Sequence, residues 1–219
     1  MAQVFGPWAN TVAKLSIVLG VFFVVAALAT LDTVTRSSYV RYTGQARPQP
    51  VQFSHKHHAN MGIDCRYCHT TVEEQSFANI PPTSVCMNCH TMVWADSPML
   101  APVRESWETG EPIKWTRVHD LPDHVYFDHS AHVNKGIGCA TCHGRVDEMP
   151  LVWKEQPLFM KWCLECHREP EQFIRPREEI FNMAYEAPRN QRELGEQLVE
   201  EYEVKTHNHR LMDCWICHR

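Results

Sequence analysis

The residues with chemistry to offer are the ten cysteines and the histidines that trail them. Every cysteine of the 219-residue chain falls into a C-x-x-C pair, and each pair runs straight into histidine. The five units are CRYCH (Cys65, Cys68, His69), CMNCH (Cys86, Cys89, His90), CATCH (Cys139, Cys142, His143), CLECH (Cys163, Cys166, His167) and CWICH (Cys214, Cys217, His218). With 14 His in the chain, five such successions by accident have a probability on the order of one in a million, and C-x-x-C-H is the attachment signature of c-type haem. Residues i, i+3 and i+4 share a helical face, so two thiols can add to the two haem vinyl groups while the histidine reaches the iron beneath the same ring. Other uses of cysteine fit worse. A zinc ribbon pairs its C-x-x-C units two by two and gives no reason for the histidine; a redox pair needs one unit; a disulfide framework does not confine every cysteine to one spacing. The expected cofactors are five covalently bound haem c groups.

The elements that position these units are repeated. At an offset of 74 residues Phe53 falls on Phe127, His55 on His129, His58 on His132, Gly62-Ile63 on Gly136-Ile137, and Cys65-Cys68-His69 on Cys139-Cys142-His143. The next unit comes at an offset of 77, Cys86 onto Cys163. Each module thus reads F-x-H-x-x-H and then two haem units, and the fifth unit stands alone near the C-terminus. Each iron takes its motif histidine on one side and needs a second ligand, usually His or Met. The pairs His55/His58 and His129/His132 are spaced to project from one helical face toward two neighbouring haems. His57 has Ala131 as its counterpart and is expected to face solvent. For the fifth distal ligand the first choice is His119, in WTRVHDLPD, with Met149, His124, His207, His209 and Met160 as alternatives.

Composition sets the frame for these sites. A net charge of −5 speaks against a nucleic-acid partner. Beyond residue 31 the remaining 188 residues hold 35 Leu, Ile, Val and Phe, about 19%, just under the level at which a chain is a candidate for disorder. Plentiful aromatics and modest charge argue for a fold all the same, so the interior must be filled by something other than aliphatic side chains. The expected fold is mainly α and irregular, low in secondary structure, with a haem-filled core. The expected organisation is an N-terminal anchor (1–35), a first two-haem module (36–97), a Pro-rich extended linker carrying the candidate axial histidine (98–123), a second two-haem module (124–170), and a charged helix with the fifth site (171–219). In the last segment QRELGEQLVEEYE reads as a mostly solvated helix interrupted by Gly195.

From Leu15 to Leu31 run 17 uncharged residues, extended beyond Lys14 by an uncharged flank. That suffices for one transmembrane span. Ala27-Leu28-Ala29 resembles a cleavage site, but an uncleaved anchor is the preferred reading. Arg36, Arg41 and Arg47 after the span would put the haem-bearing part of the chain in the cytoplasm by the positive-inside rule.

The combination FSHKHH…GIDCRYCH…PPTSVCMNCH with FDHSAHVNKGIGCATCHGRVDEMP…PLFMKWCLECHREP resembles the class III, cytochrome c3/c7-like multihaem cytochromes. With the anchor, RVHDLPD and the solitary last unit, it is more closely similar to the pentahaem subunit of alternative complex III, a membrane quinol oxidoreductase. The resemblance implies a single-pass protein of the cytoplasmic membrane with its haem domain on the periplasmic side, against the arginine count. It implies an electron relay with no substrate site of its own, hence no enzyme by itself. Its implied partners are an iron–sulfur protein, quinol-binding membrane subunits, a monohaem cytochrome c, and a periplasmic acceptor or terminal oxidase. It matches the ten cysteines, the five motif histidines, both F-x-H-x-x-H pairs and His119; His124 stands where an aromatic is expected. Two rivals are a free-standing membrane-anchored quinol dehydrogenase and a multihaem reductase with an open iron.

Overall fold

The computed structural model describes residues 4–218, with no side chains for 207–209. Two compact units divide at Tyr42 and Thr43. The first holds α1 (Ala9–Arg36) and the short α2 (Ser38–Arg41). No residue of α1 is buried. Its 28 residues are long and apolar enough to cross a membrane, at a rise that gives about 42 Å against a hydrocarbon core of about 30 Å. The helix closes with Arg36 bridging Asp32 at 2.8 Å, one turn back.

The second unit is a set of short helices joined by long irregular segments. In order they are α3 (His55–Asn60), α4 (Cys65–Cys68), α5 (Thr83–His90), α6 (Ala101–Thr109), α7 (His129–Asn134), α8 (Cys139–His143), α9 (Met160–Arg168), α10 (Gln191–Glu201) and α11 (Cys214–Cys217). Among the described residues there is no strand, only isolated bridges such as Ile137 with Ile174. Most buried apolar side chains form three small groups: Val51, Leu100 and Val103; Val72, Val133 and Ile180; Ile174, Leu198 and Tyr202. The sparse aliphatics thus form no single core.

Two segments differ from their sequence reading. Residues 98–123 are not extended throughout, since Pro98 opens a 3-10 turn and Pro102 lies in the first turn of α6, which buries Val103 and Ser106. Proline in a first turn lacks only an N–H that has no helical partner anyway, so it starts helices as well as ending them. In α10, Gly195 and Leu198 are buried. A Cβ at Gly195 would lie 1.8 Å from the Glu171 carbonyl oxygen. This glycine is therefore a close approach to the 170–172 turn, and the helix is a packed element.

Candidate haem sites

The repeat reappears as duplicated geometry. Ser54 and Asp128 cap α3 and α7, their side chains accepting from the backbone N–H of His57 and Ala131. In the first copy Phe53 meets His55 edge-on at 4.8 Å and stacks on His58 at 4.4 Å. In the second, Phe127 meets His129 at 4.8 Å and His132 at 4.4 Å. The phenylalanine of F-x-H-x-x-H thus fixes both imidazoles. His57 is exposed on the other side of α3.

Each C-x-x-C-H unit begins in a helical turn, including the four-residue α4 and α11. The ten cysteines are free thiols. Burial raises most of them, Cys139 and Cys166 to about 11 and Cys142 to about 12. Neutral thiols are poor ligands for a bare metal ion and remain available for thioether bonds.

Four of the five motif histidines are oriented by backbone carbonyls. Nδ1 lies 2.7 Å from Asn79 O in His69, 2.9 Å from Val93 O in His90, 2.7 Å from Leu211 O in His167 and 3.1 Å from His124 O in His218. Three histidines of α3 and α7 do the same: His58 with Ser54 O at 2.8 Å, His129 with Ser76 O at 2.8 Å and His132 with Asp128 O at 2.6 Å. A carbonyl only accepts, so Nδ1 carries the proton and Nε2 keeps its lone pair, the tautomer that a metal needs.

Ring separations show which histidines face each other. With an iron–imidazole bond of about 2 Å and the ring centre about 1.1 Å behind the nitrogen, two imidazoles on one iron stand about 6.3 Å apart. His58 and His90 are 6.3 Å apart, His129 and His143 6.3 Å, and His132 and His167 6.2 Å. By the repeat, His55 belongs with His69. Burial lowers His55 to about 4, with His69 as the foremost charged neighbour, and its buried Nδ1 has no protein partner. His143 is pushed to about 3 by burial and by His119, His129, His69 and His55. These surroundings suit a neutral, metal-binding imidazole.

The structure brings His119 to His143, not to His218. Its ring centre is 4.2 Å from that of His143, at 66°, too close for the two to share an iron, and His129 already stands across. Its buried Nε2 has no protein partner, and burial followed by Lys154 lowers it to about 4. The ring beside His218 is that of His124, at 5.7 Å and 18°. It cannot stand across an iron from His218, because the His124 carbonyl is held at the opposite, Nδ1, edge of that ring. A ring beyond the iron would lie roughly 10 Å from that carbonyl, further than a residue reaches from its own backbone. Met149 is 2% exposed and accepts from Lys56 N in α3, whereas Met160 is 58% exposed. The side chains of His207 and His209 lie outside the described residues.

One residue near these sites has no sequence signal. Arg175, 8% exposed, runs behind the third unit, with Nη2 donating to Thr141 Oγ1 at 3.1 Å and Nη1 to Asn182 O at 3.3 Å. It lies over the Tyr185 ring, and a Cβ at Gly138 would strike its guanidinium. In FIRPREE it reads as one charge in a charged run.

Short helices, irregular connections and duplicated histidine pairs beside C-x-x-C-H units are the features that a multihaem c-type cytochrome requires. Residues 32–101, which contain α3 and the first two units, match the Class III cytochrome C family. The particular likeness is to the menaquinone reductase multiheme cytochrome c subunit of Nitratidesulfovibrio vulgaris, 40% identical over 99 residues. That match takes in 44% of this chain and 46% of the relative, less than half of either.

Proposed function

We propose that this chain is the membrane-anchored pentahaem relay of a quinone-linked oxidoreductase complex of the alternative complex III kind, with its haem domain on the periplasmic side. The observation that carries the reading is the set of imidazole pairs at 6.2 to 6.3 Å, each joining a C-x-x-C-H unit to a histidine of α3 or α7. The thiols of each unit would hold one haem c. His69, His90, His143, His167 and His218 would ligate from one side, and His55, His58, His129 and His132 from the other. His119, the first choice from sequence for the remaining position, keeps a free buried Nε2 but lies with the third site. Bound haem supplies a one-electron couple. The protein's own residues fix the imidazole planes through Nδ1 and carbonyl contacts, and the paired histidines would leave substrate no open position on the irons they hold.

The named relative favours a second reading, in which electrons run toward menaquinone. The partners on either reading are quinone-binding membrane subunits, an iron–sulfur protein and a periplasmic cytochrome. Purification of the intact complex from its native membrane tests both. Reduction of the haems by quinol, with onward transfer to a periplasmic carrier, is the expected result. Reduction by a periplasmic carrier, with quinone reduced in turn, establishes the second reading. Haem reduction by quinol in the isolated chain refutes the relay and leaves a free-standing dehydrogenase. The mass of the denatured chain counts the haems.

A further inference from the structure

We propose that the five attachment sites stand in space in the order second, first, third, fourth, fifth, so that the second and fifth sites are the two ends of the row. The order rests on the pentahaem reading and adds what motif order alone does not supply.

Three of the four joints are made by side chains of one element or by direct bonds between units. The second site joins the first through α3, whose His58 faces His90 while His55, by the repeat, belongs with His69. Asn88 Nδ2, inside the second unit, also donates to the hydroxyl of Tyr67, inside the first, at 2.9 Å. The third joins the fourth through α7, whose His129 and His132 face His143 and His167. The fourth joins the fifth where His167 donates to Leu211 O, three residues before Cys214.

The remaining joint sets the order, and it attaches the second module to the first site. The turn just after His69 holds α7 by four bonds: His129 N to Ser76 O at 3.1 Å, Nδ1 of His129 to the same oxygen at 2.8 Å, Ser130 N to Gln75 O at 3.2 Å, and Asn134 Nδ2 to Glu73 O at 2.9 Å. Val72, in that turn, and Val133 of α7 also share one buried apolar cluster. Adjacency in sequence would have put the second site beside the third. Instead the chain doubles back, and residues 98–123 cross from one end of the row to its middle.

The test uses the full haem-loaded chain in detergent. In the fully reduced, diamagnetic state, cross-relaxation between haem substituents reports neighbouring macrocycles, and the His58→Met and His132→Met variants assign the second and fourth sites by displacing one signal set each. Cross-peaks are expected for second with first, first with third, third with fourth and fourth with fifth. A second-with-third contact, or the loss of first-with-third, overturns the order. An experimental map of the loaded wild-type chain reads the same order without any variant. Fewer than five haems by denatured mass refutes the pentahaem reading instead, while the order of the remaining sites is still read.

Discussion

Replacing His58 by alanine tests the clamp where the structure is most explicit. The substitution removes the imidazole 6.3 Å from His90 and leaves its three neighbours in the two clamps untouched. One iron in five should lose its second nitrogen, so about a fifth of the haem should pass from low spin to high spin. The stability cost has two parts before any iron bond is counted. The Nδ1 contact to Ser54 O at 2.8 Å contributes about 1 kcal/mol, and the 4.4 Å stack on Phe53 contributes about 0.5 to 1.5 kcal/mol. A loss of about 2 kcal/mol corresponds to a fall in Tm of about 4 to 8 °C for a chain of this size. Absorption and electron paramagnetic resonance spectra of the loaded chain measure the spin state, and thermal unfolding the stability. His57→Ala is the control, since His57 is exposed one residue earlier on the same helix and should change neither. If His58→Ala keeps all its irons low spin, or if His57→Ala produces the high-spin signal, the assignment of α3 is wrong.

Three further outcomes are expected. Gly195→Ala places a Cβ 1.8 Å from Glu171 O and should destabilise by about 1 to 3 kcal/mol through overpacking, read as a lower Tm at full haem content; an unchanged Tm would show that α10 can stand off without cost. Arg175→Met removes a buried cation behind the third unit, which favours the electron-rich state of a neighbouring group, so one of the titrating haems should show a lower potential while the others hold. Acid should destabilise the loaded chain: the fold keeps His119, which the ring geometry leaves off the paired irons, neutral to about 4, while the unfolded chain takes up this proton from about 6.5. The unfolded state therefore binds more protons between those values, so stability is level above about pH 6.5 and falls toward pH 4; denaturation midpoints against pH measure it.

The duplicated geometry of the two F-x-H-x-x-H segments was legible because two independent regularities agree, the i, i+3 spacing and its recurrence in register with C-x-x-C-H units, and the structure repeats Phe53 and Phe127 against these histidines to within 0.1 Å. The partners of Nδ1 were not legible. Asn79, Ser76 and Leu211 contribute backbone oxygens, and a carbonyl leaves no mark in residue type. Gly195 was misread because a glycine chosen for close approach looks the same in sequence as one that weakens a helix. Pro98 and Pro102 were misread because proline marks the first turn of a helix as readily as an extended segment. His119 shows the limit of assigning ligands by elimination. Counting spare histidines against irons offers it to the fifth site, but its placement depends on the fold of residues 98–123, which brings it to His143.

The low aliphatic content has a physical consequence for the chain without its cofactor. Nine of the eleven buried apolar side chains among the described residues fall into three separate groups of three. His55 Nδ1 and His119 Nε2 are buried with no protein partner, and His143 is held far below its ordinary value by desolvation. Burial of such groups is unfavourable unless something bonds them, and three detached clusters on four- to eleven-residue helices have little to set against it, because helices this short are marginal alone. A large apolar ring tied by two thioethers and two iron bonds would supply apolar contact and fixed attachment at each paired site. The second unit should therefore be unfolded when made without haem attachment, as read by circular dichroism and amide dispersion, and should gain structure only as sites are filled. A cooperative thermal transition in the haem-free chain would refute the claim that its core is the cofactor.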